Sequence, residues 1–231
     1  VPPRDLPALL RSPETTAALV VSLKANAIAN ALILAVGTPA AYLLALRRFR
    51  GRSLLLTAIE LPLVLPPAVA GIALLTLFGA LGLLGPLLAE HGVAIPFTQA
   101  AVVLAVTFVA APFYLRSAIS AFDAVDRHQL DAARDLGASE ARVFRSIAVP
   151  LAADGLRSGW ALAFARGAGE FGATLIFAGS VAGVTETLPL AVYAQLEVSI
   201  DAAVAVGLLL LAVSAAVLLI AKLPPLWSPA A

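Results

Sequence analysis

The sequence predicts an all-α polytopic membrane protein, and three observations carry that expectation. Hydrophobic residues fill 61% of the 231 positions and charged residues 13%, with a mean hydropathy of +0.98. Soluble domains carry about 45–50% apolar and about 25% charged residues, so a soluble core of this composition would lack the polar surface to cover itself. The apolar residues also form long continuous runs, far beyond the roughly 10 alternating residues of a barrel strand. The net charge is +1, which argues against a nucleic-acid partner.

A spanning helix needs about 20 mostly apolar residues. Segments 17–46, 54–84, 98–117, 156–178 and 202–223 qualify, giving five expected transmembrane helices in the lipid bilayer. Arginine and lysine set the orientation. Arg47, Arg48, Arg50 and Arg52 crowd the first short loop. Arg116, Arg127, Arg134, Arg142, Arg145 and Arg157 lie in or beside loop 118–155, and Lys222 ends the last segment. The other side holds Arg4 and Arg11 with Glu90, Glu186, Glu197 and Asp201. The expectation is therefore N-out and C-in. Residues 1–16 form an external segment, with a short surface helix over 5–16. Residues 17–223 form the membrane domain, 118–155 a cytoplasmic loop and 224–231 a cytoplasmic tail. The first 16 residues lack the apolar core of a signal peptide. The chain has no Met, so Val1 is either a non-ATG start or the edge of a missing N-terminal piece, and an N-out start without a signal favours a first helix missing before Val1 or encoded separately.

The second segment contains Pro62, Pro66 and Pro67. Each proline removes a backbone donor, and carbonyls freed in lipid must be satisfied by neighbours or by water in a cavity. A broken helix lining a translocation pathway is one reading; a kink from bundle packing or a membrane-edge loop is the other. The fourth segment is rich in glycine (Gly155, Gly159, Gly167, Gly169, Gly172, Gly179), which close helix packing explains.

Four charged residues lie inside apolar segments. Lys24 and Glu60 are near segment ends and read as snorkelling to the interface. Arg166 lies ten residues past Leu156, about 15 Å deep along a straight helix. Glu170 follows at i+4, within reach for an ion pair, and Thr174 shares roughly that side. The pair reads either as a polar stripe on a translocation route or as a buried bridge holding the bundle together.

Loop 118–155 reads as two short helices. The first, near 124–136, stops at Gly137, which suits a C-terminal cap. Ser139 is a good N-cap for the second, with Glu140 in its first turn, and Pro150 ends or bends it. There is no Cys, and His91 and His128 sit in different polar loops as solvent-exposed residues. No catalytic or metal-ligating set emerges. A G-x-x-x-x-G-K-[ST] phosphate loop is absent, so ATP hydrolysis is not expected of this chain.

The spacing Asp131-Ala132-Ala133-x3-Gly137-x9-Ile147-x-Val149-Pro150 resembles the EAA motif of ABC-importer permeases. That pattern is Glu-Ala-Ala-x3-Gly-x9-Ile-x-Leu-Pro, so Asp131 replaces Glu and Val149 replaces Leu. Further runs look like the molybdate branch of the molybdate, tungstate and sulfate permeases. They are 37–45, 61–67, 165–174 and 187–190. Gly169-Glu170-Phe171-Gly172-Ala173-Thr174, followed by Phe177-Ala178-Gly179, leans towards molybdate, because sulfate permeases tend to carry Tyr in place of Phe171.

The resemblance implies a type I ABC-importer permease (MetI-like) bundle that works as a homodimer. It implies docking of a separate ATPase, which binds ATP and Mg, on Asp131, Ala132, Ala133, Arg134, Gly137, Arg142, Ile147 and Pro150. It implies an extracytoplasmic oxyanion-binding protein and a bacterial or archaeal inner membrane. The translocation candidates are Pro62, Pro66, Pro67, Arg166, Glu170 and Thr174. A sulfate or tungstate permease is the near alternative. An ion-coupled secondary transporter using Arg166, Glu170 and Glu60 is the alternative of another class, although no internal repeat supports it.

Overall fold

The structure is a computed structural model, and it describes residues 6–222. Residues 1–5, Leu223 and the expected tail 224–231 lie outside the described residues. Helix α1 (Leu6–Leu10) precedes α2 (Pro13–Leu46), so the short helix expected over 5–16 ends early and residues 13–16 begin the first long helix. Ser12 caps α2 by accepting the Thr15 N–H, and Pro13 fits the first turn, where no donor is needed.

The second apolar run is not one helix. It forms α3 (Arg52–Val64) and α4 (Pro67–Phe78), and the chain bends by 119° between them. A residue before proline is pushed out of the helical region. Two consecutive prolines do this twice: Leu65 has ψ 131° and Pro66 ψ 135°. Pro62, by contrast, sits inside α3 without ending it. After α4 come α5 (Gly85–Glu90) and the long α6 (Gln99–Asp123), whose Thr98 cap accepts the Ala101 N–H.

Loop 118–155 contains α7 (Arg127–Asp135), α8 (Glu140–Val143), a π turn at Phe144–Ala148 and α9 (Val149–Leu151). The first loop helix starts at Arg127 rather than near 124. Pro150 does not end the second: the break comes at Ala152. The wider π turn, in which the Val149 N–H bonds Phe144 O, lets the proline follow without a lost α-helical bond.

The fourth run also differs from expectation. It splits into α10 (Ala153–Ala168) and α11 (Gly172–Ala178), separated at residues 169–171. The chain ends with α12 (Leu188–Leu196), which the hydropathy reading did not anticipate, and α13 (Ile200–Lys222). Among the described residues, three helices, α2, α6 and α13, are long and apolar enough to cross a membrane, and the bent α3–α4 pair makes a fourth if it is one span. Of the five apolar runs expected to span, the first, third and fifth are unbroken helices among the described residues, and proline and glycine break the second and fourth.

Helix α6 is the centre, packed by α2, α3, α4, α10 and α11. One apolar cluster includes Tyr42, Ala110, Tyr114, Ala118, Phe122 and Ala163; another includes Ala25, Ala29, Val102, Val106, Val109 and Phe177. Small residues set the α6–α10 spacing: a Cβ on Gly155 would lie 2.4 Å from Ala121 Cβ, and one on Gly159 would lie 2.8 Å from Ser117 Cβ. Ser117 Oγ also donates to Gly155 O at 2.9 Å.

Candidate functional site

The polar loop folds into a hairpin seated on the ends of α2 and α6. Asp126 starts α7 by accepting the His128 N–H at 2.9 Å. Gly137, at φ +82°, stops it in the left-handed region that favours glycine. The Ala138 N–H bonds Ala133 O at 3.0 Å and the Gly137 N–H bonds Arg134 O at 2.8 Å. These two bonds make a Schellman cap, which satisfies two carbonyls at the end of α7. Ser139 caps α8 through its backbone, since its side chain makes no capping bond.

Arg134 ties the two arms of the hairpin together. Its Nε and Nη2 donate to the two Glu140 oxygens at 2.8 and 3.2 Å, and its Nη1 donates to Asp131 Oδ1 at 2.7 Å. The hydrogen bonds to Glu140 and Asp131 hold the guanidinium charged, while Arg134 holds the Glu140 carboxyl below its ordinary range. The sequence reading aimed Arg134 at charges around a partner's groove; here it braces the hairpin from within.

Leu130, Ala133, Val143 and Ala148 face the bundle and are buried. Ile147 packs half-buried on the same cluster. The hairpin is clamped by Phe144, whose ring lies 4.9 Å from Tyr42 and 6.3 Å from Phe122. Facing outward are Asp131, Ala132, Gly137, Arg142, Arg145 and Pro150. Leu136 joins them at 89% exposure, the most exposed large apolar side chain of the hairpin. Sequence reasoning missed Leu136 and Tyr42. The available signal for Leu136 was an apolar residue directly before a capping glycine in a polar loop.

The second constellation lies where the broken helices meet. Gly172 packs on the proline bend: a Cβ there would lie 2.9 Å from Pro67 Cβ. Glu170 is buried just before it, with Oε1 accepting the Ala173 N–H at 2.8 Å and Oε2 2.7 Å from Arg166 Nη2. Glu170 therefore caps α11 and pairs with Arg166 at the same time. Thr174 is fully buried, and its hydroxyl makes no hydrogen bond.

The structure thus brings Pro67, Arg166, Glu170 and Thr174 to one joint, with Pro66 at the adjoining bend. Pro62 lies a turn back within α3. Glu60 does not simply snorkel, for it pairs with Arg116 of α6 at 3.4 Å. Lys24 is exposed, lining an outer recess with Gln99 and Gly183.

Two buried asparagines were also missed. Asn26 Nδ2 donates to Phe164 O at 3.1 Å, and Asn30 Nδ2 donates to Asn26 O and Oδ1, both at 2.9 Å. Gly167 lies against them, where a Cβ would come within 2.5 Å of Asn26 Oδ1. Polar residues in an apolar run were the signal, but Asn carries no charge and did not stand out beside Arg166.

Among the described residues, long apolar helices packed round α6, two helices broken at proline and glycine, and a polar hairpin at one end make the architecture of a polytopic membrane protein. Residues 37–223 match the family described as "Binding-protein-dependent transport system inner membrane component", and the chain belongs to that family. It is 47% identical over 212 residues to the molybdenum transport system permease protein ModB of Mycobacterium tuberculosis, covering 92% of this chain and 80% of that one. It is 40% identical over 190 residues to the protein of the same name from Escherichia coli K12, covering 82% of each. A chain of a bacterial alginate ABC transporter, solved with its alginate-bound periplasmic protein, shares the fold. Its TM-score is 0.78 at 14% identity, over 96% of this chain and 82% of that chain. A chain of the MetNI methionine ABC transporter does so at TM-score 0.69 and 17% identity, over 89% and 91% of the two chains.

Proposed function

We propose that this chain is the membrane subunit of an ATP-driven importer for molybdate. Two copies form the pathway in the cell membrane, and an extracytoplasmic binding protein delivers the oxyanion. A separate ATPase, carrying ATP and Mg, docks on the hairpin from the cytoplasmic side. The observation that carries the reading is the hairpin's division of labour. Leu130, Ala133, Val143 and Phe144 fix it to the bundle, while Asp131, Ala132, Leu136 and Arg142 are left outward. A rigid element so anchored transmits a push at its outer face into α2 and α6.

The molybdate assignment is supported by the likeness to proteins named for molybdenum transport. An ion-coupled carrier gains little support, because the Glu170 carboxylate is committed both to a helix cap and to Arg166. The test is ATPase stimulation in the reconstituted complex, with the binding protein loaded in turn with molybdate, tungstate or sulfate. Strongest stimulation by molybdate is expected. Uptake that persists after the partner's phosphate loop is mutated would exclude the ATP-driven reading.

A further inference from the structure

Two recesses meet at the C-terminal end of α2. The first, about 270 Å³, is lined by Tyr42, Arg47, Arg127 and Arg134, and also by Asp131 and Glu140. The second, about 410 Å³, is lined by Ala40, Leu44, Phe49, Leu55 and Ile59. Leu43 and Arg47 line both, so the polar and apolar recesses adjoin.

The charges in the first recess are not all spent. Asp131 and Glu140 are taken by Arg134. Arg47 and Arg127 form no ion pair among the described residues. Tyr42 is only 7% exposed, and its buried hydroxyl lies beside the Arg134 guanidinium. Two guanidinium groups free of ion pairs, Arg47 and Arg127, thus line one recess, with Arg47 near enough to bias the Glu140 carboxylate. The adjoining walls of Leu44, Phe49, Leu55 and Ile59 offer nothing to an ion and suit a hydrocarbon chain. Arg52 is not part of the site: its Nε donates to Leu44 O at 2.8 Å and closes the end of α2.

We propose that this double recess binds one anionic phospholipid of the cytoplasmic leaflet. Its phosphodiester sits at Arg47 and Arg127, and an acyl chain lies along the apolar recess. A free anion would fill only the first recess, and a zwitterionic lipid would bring its ammonium group up against the two guanidinium groups that hold its phosphodiester. The assignment rests on the proposed cytoplasmic placement of the hairpin. Since Arg47 ends α2 and Arg127 begins α7, the lipid bridges the bundle and the hairpin and stiffens the joint between them.

The assembled complex is placed in nanodiscs of phosphatidylcholine, with or without phosphatidylglycerol. Retained lipid is read by native mass spectrometry, and ATP hydrolysis is read with loaded binding protein. Phosphatidylglycerol retention is expected on the wild type. It should weaken about fivefold in Arg47→Gln and in Arg127→Gln, and it should also weaken in Leu55→Trp, which fills the apolar recess. Arg48→Gln and Arg50→Gln line neither recess and should retain lipid as the wild type does. Stimulated hydrolysis should be higher with phosphatidylglycerol.

Equal loss in the Arg48 and Arg50 variants would reduce the site to a diffuse basic surface and overturn the proposal. Inorganic phosphate reproducing the stimulation in phosphatidylcholine would overturn it in favour of a free-anion site. Absence of stimulated hydrolysis in both lipids would count against the importer reading alone, because lipid retention is scored separately.

Discussion

Arg134 and Glu140 face each other across the Gly137 turn in a two-pronged contact, Nε to Oε1 at 2.8 Å and Nη2 to Oε2 at 3.2 Å. The pair joins the last turn of one hairpin helix to the first turn of the next. Its parallel geometry needs a planar guanidinium, which lysine lacks. Arg134→Lys is therefore expected to loosen the hairpin nearly as much as Arg134→Ala. Limited proteolysis between α7 and α8 checks this, with circular dichroism showing the bundle intact.

The same pair sets a pH dependence. Glu140 ionises below its ordinary 4.5 because Arg134 hydrogen-bonds its carboxylate. A depressed folded value contributes stability that is fully present above the unfolded value and is lost as pH falls through the folded one. Protection of the hairpin from protease should hold from neutral pH to about 5 and fail only below the ordinary carboxylate range. In Glu140→Gln the protection should be weak at every pH.

Glu186, in the loop before α12, has the opposite sign. Burial, then the Glu14 carboxylate, raise its carboxyl above 4.5. A raised folded value means stability that is present below the unfolded value and is lost as pH rises through the folded one. Glu186→Gln should therefore raise the melting temperature of the purified complex at pH 7 and leave it unchanged near pH 4.

Gly155 is a packing prediction. An alanine there would put a methyl 2.4 Å from Ala121 Cβ, so α6 and α10 must separate. Overpacking of this kind costs about 1–3 kcal/mol. Gly155→Ala should lower thermal stability in detergent, and the added Ala121→Gly should restore part of it.

How much of this was legible in the sequence depends on what kind of signal each part carries. The helices α2, α6 and α13 were legible because unbroken apolar length is sufficient to mark a span. The turn at Gly137 was legible because a glycine after a polar helix has one common use. The Arg166–Glu170 pair was legible from i+4 spacing, although the helix meant to carry it stops at Ala168. That break was not legible, because Gly169 and Gly172 in an apolar run read equally as packing glycines. The α3–α4 bend was only half legible: proline marks a defect, but 119° depends on two adjacent prolines and on α11 packed against them. Tyr42 was invisible because its role depends on Phe144, which is 102 positions away in the chain and comes close only in the fold.

Glu170 is placed to hold the joint between broken helices. Removing its carboxyl leaves the Ala173 N–H uncapped and Arg166 without its partner. Breaking a buried pair on one side costs about 3–5 kcal/mol, reduced here because Arg166 is 26% exposed. Glu170→Ala should therefore be markedly less stable than Glu170→Gln, which keeps an acceptor for Ala173. Thermal unfolding of the two purified variants separates them.

The central claim is that the outer face of the hairpin seats a separate ATPase while its inner face belongs to the bundle. The chain contains no Cys, so single cysteines report position without background. Leu136→Cys and Ala133→Cys are each tested for disulfide cross-linking to cysteines along the groove of the partner ATPase in assembled membranes. A strong cross-link at Leu136→Cys and none at Ala133→Cys is the predicted result. Cross-linking at Ala133→Cys but not at Leu136→Cys, or at neither, would contradict it.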